Sequence, residues 1–357
     1  MALPAAPPPK SPLGRYRLLS PTASIWVSPI CLGTMNFGNA CLQPSQSWIF
    51  TTNKYESHIT QYAQMISLNL NKGGNFIDSA NNYQFQETEK WVGEWMSKRG
   101  NRDEIVLATK YTTNFRAGPG SPNIMLYVHW YDGNTTIPEL MQSLNQLVLS
   151  GKVLHLGISD TPAWIVSKAN EYARCNGLRQ FSVYQGRWSA ASRDFEREII
   201  PMCRAEGMGI APWGSLGGGK FKSEEQRNAQ DGRKVVASEQ EIRTSRVLES
   251  ISNRKTTLIT SVALAYVMHK TSYVFPIIGG RKIEHLKANI QALTLKLTQE
   301  DIQEIDSAVK FDPGFPHDFL YRKGQTIGGP DVWLLQMGGT VDHIQPSKPI
   351  SPVKRGE

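Results

Sequence analysis

Short apolar segments recur along the chain, and stretches with a helical pattern separate many of them. Several are too continuously apolar to alternate with polar residues, as expected of strands buried on both faces. Strands that alternate with helices predict a parallel sheet with right-handed crossovers. Eight strands fit a closed (β/α)8 TIM barrel, an α/β fold, better than an open doubly wound sheet, and no GxGxxG fingerprint follows the first of them. The predicted strands are residues 26–35, 75–80, 105–111, 125–130, 153–159, 181–185, 208–213 and 274–278.

Start and stop signals delimit the predicted helices. Thr136, with Pro138 in the first turn, opens one helix, and Thr298 with Asp301 opens another in an arrangement that resembles a capping box. Glycines are predicted to end three helices, over residues 136–151, 161–177 and 192–207. A further amphipathic helix is predicted from the spacing of Ile59, Tyr62, Ile66 and Leu70.

A length of 357 residues allows two average domains or one large barrel with extensions. Five prolines among the first twelve residues, and no apolar core of a signal peptide, predict a disordered arm over residues 1–13. We expect a single barrel over residues 14–330 and a C-terminal tail over residues 331–357, the last part of which is predicted to be disordered.

Charge and cysteine content narrow the function classes. Lys and Arg number 39 against 31 Asp and Glu, a formal charge of +8 that is not gathered into a basic run, so nucleic acid is not an expected partner. The sequence has no apolar run of the ~18 residues that would span a membrane. The four cysteines form no CxxC pair, and the histidines have no ligand partners at metal-binding spacing, so we expect a reduced, cytoplasmic protein without a metal.

Four polar residues follow the predicted strands where catalytic groups of such a barrel lie, at the carboxyl ends. They are Asp78, Tyr83, Lys110 and His129. A lysine ammonium favours the ionised form of a neighbouring phenol, so Lys110 is expected to bring proton exchange by Tyr83 toward neutral pH. Asp78 would hold Lys110 charged, and a neutral His129 would donate a hydrogen bond to a substrate carbonyl.

Two glycine-rich segments could hold phosphate groups. Residues 214–220 have the GxxxxGK spacing of a P-loop, but Phe221 replaces the Ser or Thr that would bind Mg²⁺, and no apolar helix follows. The backbone N–H groups of this segment could instead cradle a pyrophosphate, or the segment could be a solvent-exposed loop. Gly279 and Gly280 open a helix beside Arg281 and Lys282, where a 2′-phosphate would find positive charge.

These segments together resemble the aldo-keto reductase superfamily, and within it the fungal branch of aryl-alcohol dehydrogenases and norsolorinic acid reductases. The resemblance covers most of residues 26–40 and 73–330. Its matching segments are CLGTMNFG, GGNFIDSANNYQ, LATKY, LYVHW, GKVLHLGISDTPAW, FSVYQGRW, GIAPWGSLGGGKF and IIGGRKIEHLKANI.

The resemblance implies a catalytic tetrad and an NADP(H) site. Tyr83 would be the proton donor, with Asp78, Lys110 and His129 completing the tetrad. Ser159, Asp160 and Gln185 would surround the nicotinamide carboxamide, although relatives in the wider superfamily often have Asn at the position of Asp160. Trp213 would stack on the nicotinamide ring. The implied phosphate-binding residues are Gly214, Ser215, Leu216, Gly217, Gly218, Gly219, Lys220 and Phe221 for the pyrophosphate, and Gly280, Arg281, Lys282, His285 and Asn289 for the adenosine 2′-phosphate end.

The implied reaction is NADPH-dependent reduction of an aldehyde or ketone to an alcohol. His129 and Trp130 would contact the substrate, and Tyr131 and Trp188 could help to line an apolar pocket for an aromatic ring, although core packing explains Trp almost as well. The branch suggests a polyketide ketone such as norsolorinic acid of aflatoxin-type mycotoxin biosynthesis, and a simple aromatic aldehyde stays open. The alternative function is a non-catalytic, nucleotide-binding barrel with a regulatory role.

Two regions depart from the family pattern. Residues 39–72 do not resemble it, and Lys110 and His129 are only 19 positions apart, about 30 fewer than the resemblance implies. The segment 112–124 has two Gly, two Pro and no helical period, so we expect the helix between strands three and four to be missing. Exposed apolar surface, lower stability and low activity should follow. An error in the coding sequence is the alternative explanation.

Overall fold

A computed structural model of the chain describes residues 7–38, 55–112, 127–228, 235–280, 282–322, 325–344 and 347–352. The strands are β1 (Arg17–Ser20), β2 (Ala23–Val27), β3 (Cys31–Gly33), β4 (Phe76–Asp78), β5 (Val106–Ala108), β6 (Lys110–Tyr111), β7 (Tyr127–Val128), β8 (Leu156–Ser159), β9 (Phe181–Arg187), β10 (Gly209–Trp213) and β11 (Ile277–Ile278). The α-helices are α1 (Tyr55–Asn71), α2 (Glu87–Arg99), α3 (Ile137–Leu149), α4 (Ala163–Cys175), α5 (Ile199–Ala205), α6 (Glu224–Asn228), α7 (Glu239–Arg254), α8 (Ile259–Lys270), α9 (Ile283–Ala292), α10 (Gln299–Ser307) and α11 (His317–Leu320).

Nine of the strands form two parallel sheets, with the orders β10-β9-β8-β7-β6 and β11-β3-β4-β5. The sheets meet at two places. Only Thr109 separates β5 from β6, and its carbonyl accepts a hydrogen bond of 2.9 Å from the Tyr127 N–H of β7. At the other edge, Ile210 of β10 forms a parallel bridge with Val274, three residues before β11. Every predicted strand contributes to these sheets, which confirms the α/β class and the parallel arrangement.

The first predicted strand is two elements rather than one. Its beginning belongs to β2, which pairs in antiparallel register with β1, and only β3 enters a parallel sheet. Pro29 lies between the two and has no N–H to donate to a sheet, which explains the interruption. The preceding chain is packed as well: Leu13 is fully buried, and the Ser11 hydroxyl donates to the Lys72 carbonyl at 2.6 Å. This part of the arm predicted to be disordered is therefore held against the rest of the protein.

The predicted helix signals act as expected in most places. The Thr136 side chain accepts from the Glu139 N–H at the start of α3, and Thr298 and Asp301 form a complete capping box at the start of α10. The pattern at residues 59–70 lies on α1, where Tyr62 and Ile66 are buried. The helix predicted over residues 192–207 is instead a 3-10 turn, Asp194–Glu196, followed by the short α5.

The carboxyl ends of the parallel strands lie on one edge and carry the candidate site. Residues 113–126, where a helix is predicted to be missing, lie outside the described residues, as do residues 39–54. On the flanking strands, Val128 of β7 is buried, whereas Leu107 and Tyr111 are half-buried and pack against the core. In the predicted tail, the Trp333 indole N–H donates to the Phe319 carbonyl at 2.6 Å, so residues up to there fold back on the chain.

Candidate active site

A buried ion pair between Asp78 and Lys110 is at the centre of the candidate site. Asp78 ends β4 and Lys110 begins β6, and the Lys110 Nζ donates to both carboxylate oxygens at 2.7 and 2.8 Å. It also donates to the Ser79 carbonyl at 2.6 Å. The two side chains are only 3% and 0% exposed, and the Gln185 side-chain amide donates to Asp78 at 3.0 Å. Lys110 is thus held charged by the Asp78 carboxylate, which the Gln185 amide of β9 contacts in turn.

Tyr83 is the third member of the group. Its hydroxyl oxygen accepts a hydrogen bond of 3.0 Å from the Lys110 Nζ, which is a donor only. The phenol hydrogen is consequently free to donate elsewhere. Tyr83 begins a tight 3-10 turn in which Gln84, Phe85 and Gln86 all have positive φ, of 48°, 50° and 76°. Three consecutive non-glycine residues in this region are costly, and such local strain occurs at functional sites.

The expected shift of the Tyr83 pKa toward neutral pH is wrong. Burial raises the pKa of Tyr83 to about 12, and the negative charge of Asp78 acts in the same direction. The Lys110 ammonium lowers it, as expected, but is outweighed. For Lys110, burial disfavours the charge, yet Asp78 and Tyr83 together raise its pKa above the ordinary value. Both Tyr83 and Lys110 are therefore protonated at neutral pH.

His129 follows β7 and faces Tyr83 edge-on, with ring centroids 6.4 Å apart and an interplanar angle of 79°. Burial, with a smaller effect of the Lys110 charge, lowers the pKa of His129 to about 4, so its imidazole is neutral at pH 7. Its Nδ1 is buried and has no hydrogen-bond partner among the residues that the structure describes. A neutral imidazole beside the phenol can polarise a carbonyl oxygen.

The residues implied at the nicotinamide end lie together near the carboxyl ends of β8, β9 and β10. Ser159 is buried and donates to the Asp160 carboxylate at 2.8 Å. The Trp213 indole N–H is 3.3 Å from both Asp160 carboxylate oxygens, and the indole is 38% exposed. Gln185 contacts Asp78 and so connects this group to the ion pair.

The glycine-rich segment after β10 adopts a conformation that requires glycine. Gly217, Gly218 and Gly219 form a 3-10 turn with φ of 73°, 60° and 90°. A Cβ on Gly217 would lie 2.6 Å from the ring of Phe221, which is buried against it. In the rest of the segment, Gly214 also has positive φ and Leu216 packs on the core. The buried Ser215 donates to the Trp188 carbonyl. Lys220 forms an ion pair of 2.8 Å with Glu241 of α7.

The second glycine-rich segment connects β11 to α9. Gly280 lies against His285, since a Cβ there would be 3.1 Å from the His285 Cβ. Lys282 is exposed at the start of α9, whereas Asn289 is buried on it. Arg281 lies outside the described residues. Because β11 pairs with β3, this segment shares the edge on which Asp78 ends β4.

The three aromatic residues considered for a substrate pocket differ in burial. Trp130 is 43% exposed directly after His129, but Trp188 is fully buried and stacks on Phe195 with centroids 5.9 Å apart. Trp188 therefore belongs to the core. Two residues that the sequence does not single out are the half-buried Asn81 and Asn82, whose buried Oδ1 atoms have no partner within the described ranges. Their position in the polar run between Asp78 and Tyr83 is a signal that could have drawn attention to them.

Within the described part of the chain, no group of three or more His, Cys, Asp or Glu side chains is arranged to hold a metal ion. Over the same residues, no helix is long and apolar enough to cross a membrane.

The chain belongs to the aldo/keto reductase family, whose model matches residues 29–125 and 121–310. It is 48% identical to norsolorinic acid reductase B of Dothistroma septosporum, with 94% of each chain covered, and 47% identical to norsolorinic acid reductase A of Aspergillus parasiticus, with 99% and 97% covered. It is also 48% identical to an aryl-alcohol dehydrogenase of Pestalotiopsis microspora. The family and these relatives identify it as an oxidoreductase of the carbonyl-reducing class.

The alignments with these relatives and with the family model indicate that this chain lacks a segment. The alignment with the Aspergillus parasiticus protein spans 396 positions and takes in 99% of this 357-residue chain, so about 40 aligned positions have no counterpart here. The family match is divided into two pieces that meet at residues 121–125, between Lys110 and His129.

Proposed function

We propose that this protein reduces an aldehyde or ketone to an alcohol with NADPH, and that Tyr83 is the proton donor. The observation that carries the proposal is the hydrogen-bonded series Asp78–Lys110–Tyr83 with a neutral His129 beside it. When bound, the nicotinamide supplies a hydride to the carbonyl carbon. The chain's own residues must then orient the carbonyl and deliver one proton to its oxygen.

The contacts of Tyr83 suit proton delivery. Because Lys110 donates to the phenol oxygen, the phenol hydrogen is free for the carbonyl oxygen. The phenolate left after transfer would lie 3.0 Å from an ammonium that is itself fixed by Asp78 and the Ser79 carbonyl. His129 would donate a second hydrogen bond to the same oxygen and so orient the carbonyl. A pKa of about 12 keeps Tyr83 in the acid form that reduction requires.

The residues around the tetrad fit a nicotinamide nucleotide. Buried polar atoms normally have partners, yet the Oδ1 of Asn82 and the Nδ1 of His129 have none within the described residues, as expected where a ligand binds. Trp213 offers a half-exposed ring, and Ser159 and Gln185 offer polar groups for the carboxamide. The backbone of residues 214–221, whose glycines have positive φ, would hold the pyrophosphate.

We further propose that the nucleotide is NADP(H) rather than NAD(H). Lys282 is exposed at the start of α9, beside Gly280 and His285, and Arg281 precedes it in the sequence. Positive charge at a helix N-terminus favours a 2′-phosphate. Lys220 already pairs with Glu241, so it is the weaker candidate for a phosphate contact.

An aromatic carbonyl compound is the proposed substrate. Trp130 is 43% exposed next to His129 and offers an apolar face to a flat ring. The names of the relatives, norsolorinic acid reductase and aryl-alcohol dehydrogenase, support the same class of substrate.

We also propose a cytoplasmic location, as the sequence predicts. The free thiols of Cys31, Cys175 and Cys203 are compatible with it.

For the fold, we propose that the two sheets form one (β/α)8 barrel over residues 14–330 that lacks the helix between its third and fourth strands. The contacts at Thr109 and at Ile210 join the sheets at both edges, which supports closure. The gaps in the alignments and the division of the family match support a missing segment near residues 121–125. Such a loss should reduce stability and turnover without removing the tetrad.

A nucleotide-binding barrel with little or no turnover is the second candidate, and the same gaps favour it. Stopped-flow oxidation of NADPH with aromatic aldehydes separates the two functions. Reduction with product formation supports the enzyme, whereas tight NADPH binding with no oxidation supports the second candidate. Sequencing the transcript across residues 39–72 and 111–125 then decides whether the short connection is real.

A further inference from the structure

Asp160 is bonded to the half-exposed tryptophan of the candidate site. Trp213 ends β10 and Asp160 follows β8, and the indole N–H points between the two carboxylate oxygens at 3.3 Å from each. This hydrogen bond between the two side chains restrains the angle of the indole. The carboxylate also accepts from Ser159 at 2.8 Å.

The turn that contains Asp160 has a strained backbone, and hydrogen bonds to neighbouring residues fix its conformation. Asp160 has a φ of 43°, in the left-handed region, and its N–H donates to the Gln185 carbonyl at 3.0 Å. The Tyr184 hydroxyl accepts from the Thr161 N–H at 3.0 Å and donates to the Thr161 carbonyl at 2.6 Å. Strain of this kind persists only where surrounding contacts enforce it. The position of the carboxylate is thus set before any ligand binds.

The charge on this carboxylate faces the other groups of the site. Tyr83, Lys110 and Arg187 all interact with it electrostatically. Partial desolvation raises the pKa of Asp160, while the hydrogen bonds from Ser159 and Trp213 lower it. Asp160 as a whole is exposed, so the charge acts through partly solvated space and is screened accordingly.

We propose that Asp160 is a positioning residue for Trp213 and a selector of the nicotinamide redox state. Its carboxylate holds the indole in place as a preformed stacking surface, and its negative charge favours the oxidised ring, which is cationic, over the reduced ring, which is neutral. A neutral amide at this position could fix the indole but could not discriminate between the two states. The inference rests on the proposed function, since it needs a nicotinamide nucleotide at this site.

Three variants separate position from charge. Asp160→Asn keeps an oxygen that accepts from the indole N–H and removes the charge, Asp160→Ala removes both, and Trp213→Phe removes the N–H donor. Asp103→Asn is the matched control, since it removes an exposed carboxylate on the turn before β5, at the opposite ends of the strands.

Near-UV circular dichroism of the full chain without nucleotide reports the indole. We expect the spectrum of Asp160→Asn to match that of the wild type and Asp160→Ala to lose much of the signal that Trp213→Phe also loses. An Asp160→Ala spectrum identical to that of the wild type would overturn the positioning role.

Titration with NADP⁺ and with NADPH reports the charge. In both Asp160 variants the ratio of the two dissociation constants should shift about fivefold in favour of NADPH, the size expected for one partly screened charge. Asp103→Asn should leave the ratio unchanged. An unchanged ratio in Asp160→Asn would overturn the selector role. A wild-type chain that binds neither nucleotide would overturn that role together with the proposed function, and the dichroism result would then decide the positioning role by itself.

Discussion

Replacing Lys110 by Met should destabilise the protein strongly, because it leaves a carboxylate buried without its counter-ion. The Asp78 side chain is 3% exposed, and among the residues that the structure describes it would keep one side-chain donor, the Gln185 amide at 3.0 Å. Removing one partner of a buried ion pair costs about 3–5 kcal/mol. The double variant Asp78→Asn/Lys110→Met contains no unpaired charge, so it should recover at least about 2 kcal/mol of this loss while remaining inactive.

Urea unfolding followed by far-UV circular dichroism gives the free energy of unfolding of both variants. Lys98→Met is the matched control, since Lys98 is exposed in the last turn of α2 and its loss should cost less than about 0.5 kcal/mol. The reasoning is refuted if Lys110→Met costs no more than the control. It is also refuted if the double variant is no more stable than Lys110→Met.

Three further predictions concern the phenol, the glycine segment and the nucleotide. The pKa of Tyr83 is about 12 and that of His129 about 4, so the rate of carbonyl reduction should show no titration of either group between pH 6 and 10. Alcohol oxidation needs the phenolate, so its rate should rise about tenfold per pH unit, and a plateau of that rate below pH 9 in steady-state assays would contradict this. Gly217→Ala should lower the free energy of unfolding in urea by about 1–3 kcal/mol more than Gly133→Ala. Both glycines have a similar positive φ, but only at Gly217 would the new Cβ lie 2.6 Å from a ring, that of Phe221, and equal losses would show that this contact is unimportant. Lys282→Glu should weaken NADPH binding about tenfold and NADH binding less than twofold in fluorescence titrations, and equal losses would exclude a 2′-phosphate contact.

The sequence predicts the parallel sheets well because their strands are apolar on both faces and end in polar residues. It also brings Asp78, Tyr83 and Lys110 together, since neighbouring parallel strands end on the same edge. The division of the first strand cannot be predicted in this way, because a continuous apolar pattern does not distinguish an antiparallel hairpin from a buried parallel strand.

Properties that depend on how deeply a side chain is buried cannot be predicted from the sequence pattern. Desolvation and the Asp78 charge raise the pKa of Tyr83, and the Lys110 charge lowers it. The sequence indicates that a lysine lies near the phenol, but it does not show how deeply the phenol is buried. Trp130 and Trp188 follow strands in the same way, yet one is 43% exposed and the other fully buried. Long-range partners were equally hidden: nothing local links Asp160 to Trp213, which lies 53 positions away along the chain.

Single-turnover reduction of an aromatic aldehyde by NADPH, in the wild type and in Tyr83→Phe, tests the proton-donor assignment most directly. The variant should bind NADPH within about twofold of the wild type and reduce the aldehyde ~10²–10⁴-fold more slowly, the usual contribution of general acid catalysis. Tyr111→Phe, which removes a half-buried hydroxyl on β6, is the control and should react at the wild-type rate. A Tyr83→Phe variant that keeps a tenth or more of the wild-type rate would contradict the account, as would a wild-type chain that binds NADPH tightly and never oxidises it.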